Sequence, residues 1–309
     1  MIGVLPPGEY REVTIFSGAK PVYRKAGPGG SHRPGQEHEH NRRDFSIHDP
    51  ENGVTYHSSH TVSKPGPGSP RHHHAFEQIR FVLSGEHEYA GKRFGSGWLG
   101  YFPEGVFYGP QAQLTDSAGF VMQFPGPSGS PFHSRLDTER GRVLVREAGG
   151  RFEDGICVWP DGRKQDAHEA LMEAIYGQDA EYPPPAYSEQ VWINTANMAW
   201  EPSDIPGVSV KRLGYFNLRG PAIQMIKLEP GASIPAGTTG AFMIRYIYEG
   251  EAEYRGEVFP AVTNMYYPPQ TAYEGMSTAM GATILSVELQ AQIPGTKIAL
   301  SEPPLPYRI

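Results

Sequence analysis

Short apolar runs separated by glycine and proline turns dominate the chain, and helix-period segments are rare. The segment IRFVLSGEHEYAG (79–91) reads as a β-rich run, a Gly-Glu turn and a second run, which is typical of a hairpin. The segments 117–126 (SAGFVMQFPG) and 281–290 (GATILSVELQ) predict further strands. Apolar residues recur at helical spacing in DGRKQDAHEALMEAIYG (161–177), which predicts a helix over about residues 164–176. The pattern therefore predicts an all-β fold with one short helix.

An internal repeat relates two of these strand-rich regions. Residues 65–91 align with residues 230–256 without a gap, at a constant offset of 165 positions. The matched positions include Pro65 with Pro230, Ile79-Arg80 with Ile244-Arg245, Gly85-Glu86 with Gly250-Glu251, Glu88-Tyr89 with Glu253-Tyr254, and, further along, Tyr101 with Tyr266 and Tyr108 with Tyr273. One register kept over this length predicts two copies of one β domain.

The repeat divides the chain into four parts. We expect an N-terminal arm or loop over residues 1–44, a first β domain over 45–150, a linker with the helix over 151–186, and a second β domain over 187–309. The arm has a stretch of almost no apolar content, AGPGGSHRPGQEHEHNRRD, which would be ordered only if it packs against another surface. The prolines of EYPPPAY stiffen the end of the linker.

Composition excludes several functional classes. The chain has 309 residues with 37 Gly and 30 Pro, which suits many strands joined by tight turns. Its net charge of −7 gives no basic footprint for a nucleic-acid partner. The single cysteine, Cys157, excludes a disulfide within the chain. There is no apolar run long enough for a membrane helix and no signal peptide at the start, so we expect a cytoplasmic protein without a membrane partner.

Three adjacent histidines open the polar stretch SPRHHHAFEQIRFVLSGEHEY (69–89). Side chains alternate faces along a strand, so His72, His74, Gln78 and Arg80 would share one face. Two imidazoles at i and i+2 can reach one metal ion, and imidazole suits Zn, Fe, Ni, Cu or Mn. Gln78 can add an amide oxygen from the same face. The alternative is a solvated, tag-like surface run.

The histidine segment resembles the first motif of the cupin superfamily, G(X)5HXH(X)3–4E(X)6G. The matching positions are Gly66, His72, His74, Gln78 in the place of the glutamate, and Gly85. The segment GWLGYFPEGVFYGPQ resembles the second motif, through Gly97, Pro103 and Gly105, with Tyr108 at the histidine position. The resemblance implies two tandem cupin barrels, the double-stranded β-helix or jelly roll, in a bicupin similar to quercetin- and gentisate-type dioxygenases.

The metal site that the resemblance implies departs from the usual cupin pattern. Cupins usually offer three histidines and a glutamate, whereas this chain offers His72, His74, Gln78 and Tyr108. Exchanging a carboxylate for an amide removes one negative charge beside the metal ion. The ion would therefore keep more of its Lewis acidity unless Tyr108 binds as phenolate. Tyr108 is either a ligand as phenolate or a proton donor that stands off the metal.

The second copy has lost the implied site. At the offset of 165, His72, His74 and Gln78 correspond to Gly237, Thr239 and Met243, and all twelve histidines lie at or before His168. The second domain is therefore expected to be a structural partner or a lid. Arg80 is either a clamp for a substrate carboxylate or part of a structural ion pair, since Arg245 repeats it in the second copy.

These features predict a metal-dependent enzyme for a small oxygenated or aromatic molecule, most simply an oxygenase. The expected cofactor is one divalent transition metal, with Fe first and Mn, Ni, Zn or Cu as alternatives. Arg80 and Tyr108 are the expected catalytic residues. Two other functions stay open: a non-redox isomerase, lyase or cyclase in which Tyr108 moves a proton, and a non-catalytic small-molecule or sugar binder. A homodimer is expected because β domains with exposed edges tend to pair.

Overall fold

Strands account for most of the chain that the structure describes. A computed structural model describes residues 3–4, 12–25, 40–49, 54–128, 135–153, 155–177, 179–216 and 221–289. The strands are numbered in chain order. Up to residue 194 they are β1 (Gly3–Val4), β2 (Thr14–Phe16), β3 (Arg24–Lys25), β4 (His40–Asp49), β5 (Val54–Ser63), β6 (Gly66–Pro67), β7 (Glu77–Ser84), β8 (His87–Tyr89), β9 (Lys92–Phe94), β10 (Trp98–Phe102), β11 (Gln111–Gln113), β12 (Ser117–Phe124), β13 (Arg151–Glu153), β14 (Ile156–Val158), β15 (Lys164–Asp166) and β16 (Val191–Asn194).

The strands of the second half follow a short 3-10 helix, Thr195–Asn197. They are β17 (Glu201–Pro202), β18 (Val208–Tyr215), β19 (Ala222–Leu228), β20 (Ser233–Ile234), β21 (Gly237–Thr238), β22 (Phe242–Tyr254), β23 (Glu257–Pro260), β24 (Asn264–Tyr267), β25 (Ala272–Tyr273), β26 (Met276–Ser277) and β27 (Ala282–Leu289). Two α-helices, α1 (Arg135–Glu147) and α2 (Ala167–Tyr176), lie in the described part of the first half.

The chain divides into two compact units. Residues 23–46 and 55–193 form the N-terminal barrel, and residues 1–22, 47–54 and 194–309 form the C-terminal barrel. The main sheet of the N-terminal barrel runs β4-β5-β12-β7-β10-β16, and β6-β11-β8-β9 is its second sheet. The main sheet of the C-terminal barrel runs β17-β18-β19-β27-β22-β24-β2, with β20 and β26 paired and β26 joined to β22. Each unit has the antiparallel jelly-roll architecture expected from the sequence.

The 165-residue offset also relates equivalent strands of the two barrels. In sheet order, β5, β12, β7 and β10 occupy the places that β19, β27, β22 and β24 occupy in the other barrel. The matched turn glycines have left-handed backbones, with φ +74° at Gly85 and +75° at Gly250. A Cβ there would lie 2.3 Å and 2.1 Å, respectively, from a backbone oxygen, so both turns need glycine.

The last strand of each main sheet does not follow the repeat. β16, from the start of the predicted second domain, completes the N-terminal barrel, and β2, from the predicted N-terminal arm, completes the C-terminal barrel. The arm therefore differs from the expected loop: residues 14–16 and 40–44 are strands, because unpaired backbone groups at each sheet edge take them as partners. Residues 26–39 of the arm lie outside the described residues.

The predicted helix is present as α2. Its N-cap is Asp166, whose side chain accepts hydrogen bonds from the backbone N–H groups of His168 and Glu169. Gly177, with φ 67°, ends the helix in the left-handed conformation. Helix α1 was not predicted, since RLDTERGRVLVRE carries few apolar residues and one of them, Val143, is half exposed. Neither helix in the described ranges is long and apolar enough to cross a membrane.

The interior of the N-terminal barrel is aromatic at one end. A buried cluster packs against Trp98 and Trp192 and consists of Val82, Tyr89, Phe94, Phe102 and Tyr108. The ring of Trp192, on β16, stacks on Phe94 with centroids 3.7 Å apart. The buried cluster of the C-terminal barrel is mainly aliphatic, with Met243, Ile247 and Tyr267 among its members.

Candidate functional site

The three histidines lie in an irregular segment just before β7. We expected them on a strand, with His72 and His74 one pleat apart, but β7 begins only at Glu77. The segment is instead held by backbone hydrogen bonds to the second cupin-like motif: His72 and Tyr108 exchange N–H···O bonds of 3.0 and 2.9 Å, and Gly105 N–H donates to His74 O at 2.9 Å. The rings of His72 and His74 still come together, with centroids 4.9 Å apart.

Both imidazoles are held in the neutral form that metal ligands require. The Nδ1 of His72 lies 2.6 Å from the carbonyl oxygen of Pro70, so Nδ1–H donates there and Nε2 keeps its lone pair. Burial lowers the pKa of His72 to about 4 and lowers the pKa of His74 well below its usual value. The Nδ1 of His74 is buried and has no hydrogen-bond partner among the described residues.

Arg80 lies on the inner face of β7 in a network of neutral acceptors. Its Nη2 donates to the hydroxyl of Tyr108 at 2.6 Å and to Oε1 of Gln78 at 3.0 Å. Its Nη1 donates to Oε1 of Gln111 at 2.6 Å and to the hydroxyl of Tyr89 at 3.4 Å. The structural ion pair that the sequence left open for Arg80 is not among the ion pairs of the described residues. The guanidinium charge is thus solvated by amides and phenols without a counter-charge.

Aromatic rings surround the same guanidinium. Its central carbon lies 4.9 Å from the ring centroid of Tyr108 and 5.0 Å from that of Phe102, within the range of cation–π attraction. These contacts hold the positive charge in place but do not neutralise it. An anionic group entering the barrel would therefore find a fixed, partly desolvated cation, which is a strong partner for a carboxylate.

Tyr108 sits between the histidines and Arg80. Its ring centroid is 4.4 Å from that of His72, and its oxygen accepts a second hydrogen bond from Nε2 of Gln78 at 3.1 Å. Burial raises the pKa of Tyr108, although the nearby Arg80 charge opposes this, so the side chain is a neutral phenol at pH 7. Both hydrogen bonds use its oxygen as acceptor, which leaves its own proton for donation to a bound molecule.

The predicted metal ligands are adjacent, and they fit an ion only in part. His72 and His74 have the right protonation, and the carbonyl bond of His72 Nδ1 is typical of a metal-ligating histidine. The oxygens of Gln78 and Tyr108 are instead engaged with Arg80, and Gln123 also donates to Oε1 of Gln78 at 3.1 Å. Among the described residues there is no group of three or more His, Cys, Asp or Glu arranged to hold a metal. The two imidazoles could hold an ion, with its other positions left to Gln78, Tyr108, water or substrate.

Helix α2 contributes residues that the sequence did not connect with the site. The ring of His168 lies 4.8 Å from that of His74, at a nearly perpendicular angle. The middle histidine, His73, points away from its neighbours and has Nε2 3.5 Å from Asp166 and 3.3 Å from Glu169. These contacts tie the histidine segment to the start of α2. They could not be found from the sequence because about ninety positions separate the two segments.

Solved structures of other proteins share the fold of this chain over most of its length. A candidate dioxygenase from Nostoc punctiforme PCC 73102 is 14% identical, with a TM-score of 0.59, over 97% of this chain and 89% of that chain. Bacillus subtilis oxalate decarboxylase is 16% identical, with a TM-score of 0.52, over 92% of this chain and 78% of that chain. The chain has the bicupin fold. A candidate glyoxylate-induced protein from Pseudomonas aeruginosa also matches the bicupin, at 16% identity and a TM-score of 0.51 over 82% of each chain.

A family match supports the same assignment for the C-terminal barrel of the bicupin. Residues 188–292 match the ChrR Cupin-like domain. This match falls on the barrel in which Gly237, Thr239 and Met243 replace the site residues, so it identifies the fold there and not the chemistry of the N-terminal barrel. No curated protein sequence matches the chain.

Proposed function

We propose that this bicupin is a metal-dependent enzyme, most simply an oxygenase, acting on a small oxygenated or aromatic carboxylic acid in its N-terminal barrel. One observation carries the proposal: two neutral imidazoles lie beside an arginine that has only neutral partners. The named relatives with the same fold include a candidate dioxygenase and an oxalate decarboxylase, which fit this combination of oxygen and carboxylate chemistry. Both are under 20% identical to this chain, so the reaction rests on the site.

Each residue of the site has a distinct role in this proposal. His72 and His74 would hold a divalent metal, with Fe first and Mn, Ni, Zn or Cu as alternatives, which would supply Lewis-acid or redox chemistry when bound. Arg80 would orient the substrate carboxylate through its charge and through Nε–H, which is buried without a partner among the described residues, since both Nη groups already donate to neutral acceptors. Gln78 and Gln111 fix the guanidinium for that contact. The aromatic wall that includes Phe102 excludes water.

A second function, a non-redox lyase or isomerase, is favoured by the bonding of Tyr108. Two donors, Arg80 and Gln78, point at the phenol oxygen, and both stabilise the phenolate that proton donation would leave behind. A phenol with this support can act as general acid toward a bound substrate. The two functions differ in their need for O₂. The oxygenase consumes O₂ only when metal and substrate are present, and turnover under strict anaerobiosis would exclude it.

Metal binding is tested first, on untagged protein. We expect one equivalent of divalent transition metal by elemental analysis after loading with Fe(II) or Mn(II), and a loss of most of it in the variants His72→Ala and His74→Ala. His40→Ala is the matched control, because His40 is partly buried on β4 and bonds Ser63 instead. Equal metal content in all four proteins would contradict the site.

The carboxylate role of Arg80 is tested separately. Isothermal titration with benzoate and with the neutral isostere benzamide should show binding of benzoate only. Arg80→Gln should weaken benzoate binding in the N-terminal barrel at least about tenfold, as expected for the loss of a charged pair. Arg93→Gln is the control, since Arg93 is exposed on β9. If the number of benzoate molecules bound and all of their affinities are unchanged in Arg80→Gln, the clamp is ruled out.

A further inference from the structure

Arg245 is the repeat-mate of Arg80 in the C-terminal barrel. It lies on β22, 165 positions after Arg80, and only 2% of its surface is exposed. Its neighbours at alternate positions, Met243 and Ile247, belong to the buried core cluster of that barrel, so Arg245 shares their inward face. An arginine is charged at any physiological pH. The C-terminal barrel, which has no site histidines, thus encloses a permanent cation.

The two amide acceptors that bond Arg80 are replaced around Arg245. At the offset of 165, Gln78 becomes Met243 and Gln111 becomes Met276. A thioether is a weak acceptor, and neither methionine can replace an amide oxygen. The aromatic partners are kept as Tyr254, Tyr267 and Tyr273, in place of Tyr89, Phe102 and Tyr108.

The guanidinium of Arg245 is left with unused donors as a result. It is hydrogen-bonded to Tyr267, and its central carbon lies 5.2 Å and 5.1 Å from the rings of Tyr267 and Tyr273. Its Nε and Nη1 are buried without a hydrogen-bond partner in the part of the chain that the structure describes. The ion pairs of the described residues do not include Arg245. A buried charge without a counter-charge carries a large desolvation penalty, which a bound anion would offset.

A hydroxyl lies beside the unused donors. Ser286 on β27 is the direct cross-strand neighbour of Arg245, and Gln224 on β19 is in turn the neighbour of Ser286. Both side chains are buried, and the Oγ of Ser286 has no hydrogen-bond partner among the described residues. In the N-terminal barrel the position of Ser286 is held by Val121. The C-terminal barrel has therefore gained a donor next to the arginine while it lost the internal acceptors.

We propose that the C-terminal barrel binds a small organic monocarboxylate on Arg245, with Ser286 donating a further hydrogen bond. The planar fork of a guanidinium matches a carboxylate with two parallel bonds. Met243 and Met276 are flexible and apolar, so they can adapt to the hydrocarbon part of such a ligand. This site is separate from the Arg80 site and does not depend on a metal.

The test uses the full chain, with acetate and benzoate as probes and acetamide and benzamide as neutral isosteres. Isothermal titration of the wild type should show that the carboxylates bind in the C-terminal barrel and that the amides do not bind. Arg245→Met should remove that event, and Ser286→Ala should weaken it severalfold. Arg255→Met is the matched control, because Arg255 is exposed and pairs with Glu274 at the surface.

Two further variants keep the result decisive. Met243→Gln restores at Arg245 the acceptor that Gln78 gives Arg80, so it should weaken carboxylate binding by competing for the guanidinium, with little risk to folding. Arg80→Gln should leave the C-terminal event intact, which separates it from the N-terminal site. The proposal is overturned if the Arg80→Gln protein binds neither acetate nor benzoate. It is also overturned if Ser286→Ala and Met243→Gln bind as the wild type does, whether or not Arg245→Met folds.

Discussion

Replacing His87 by leucine should remove a defined part of the acid sensitivity of folding. His87 lies on β8 in the N-terminal barrel and is 8% exposed. Its Nε2 is buried without a hydrogen-bond partner among the described residues. Burial, helped by the charge of Arg80, lowers the pKa of His87 to about 4. The equivalent residue of the C-terminal barrel is the apolar Ala252, so the position does not need an imidazole for the fold.

The size and sign of the effect follow from the two pKa values. In the unfolded chain His87 takes up a proton near its ordinary pKa of 6.5, whereas in the folded protein it does so near pH 4. Between these values the unfolded state binds more protons, so the free energy of unfolding falls as the pH is lowered from 6.5 to 4. At about 1.36 kcal/mol per pH unit, the full loss from this one residue is about 3 kcal/mol. Above pH 6.5 the residue is neutral in both states and contributes no pH dependence.

Urea unfolding at a series of pH values from 7.5 to about 4, followed by tryptophan fluorescence, measures this term. The wild type should lose stability more steeply than His87→Leu, and the gap between the two proteins should change by about 3 kcal/mol across the window. Arg93→Gln, on the neighbouring β9, controls for loss of a polar residue and should run parallel to the wild type. If His87→Leu also runs parallel, burial does not keep this imidazole neutral and the reasoning is refuted.

Three other changes have expected outcomes. Gly85→Ala should lower the free energy of unfolding by more than Gly91→Ala does, because only at Gly85 would a Cβ meet the backbone oxygen of Asp116, at 2.3 Å. Both backbones are left-handed, and that strain alone costs about 1 kcal/mol in each variant. Equal losses in urea unfolding would contradict this. Trp192→Ala should lower the free energy of unfolding by about 3 kcal/mol in the same assay, because it leaves a cavity in the aromatic cluster. A change smaller than the experimental error would show that β16 contributes little to stability. Tyr108→Phe should keep the bound metal by elemental analysis and lose turnover, and full activity would exclude its proton role.

The repeat made most of the fold predictable. A constant register transfers strand positions from one copy to the other, and turn glycines such as Gly85 and Gly250 mark the hairpins independently of packing. The exchanged edge strands could not be predicted, since β2 and β16 are short and their pairing depends on distant sheet edges. Helix α1 was missed for a related reason. Its contact with α2, where a Cβ on Gly141 would lie 3.0 Å from Ile175, is tertiary and leaves no strong apolar pattern.

The sequence predicted which residues of the candidate site lie close together but not how they are hydrogen-bonded. Motif spacing identified His72, His74, Gln78 and Tyr108, and these residues do lie together. Strand parity placed Arg80 on their face without showing that its guanidinium holds both Gln78 and Tyr108. Hydrogen-bond partners depend on side-chain conformations across three strands, which spacing along one strand does not contain. The role of these residues as metal ligands stays a prediction.

The two barrels can be compared as two solutions to the same physical problem, an arginine inside an apolar barrel. The N-terminal barrel surrounds Arg80 with amide oxygens, so the cation is stabilised there without a ligand. The C-terminal barrel keeps the cation and the tyrosines but replaces both amides by methionine. If the C-terminal barrel were only structural, the protein would be more stable with an apolar residue at position 245 than with a charge that has no counter-charge. Arg245→Met should then raise the unfolding temperature of the ligand-free protein, and saturating carboxylate should reverse that order if the charge is there to bind an anion.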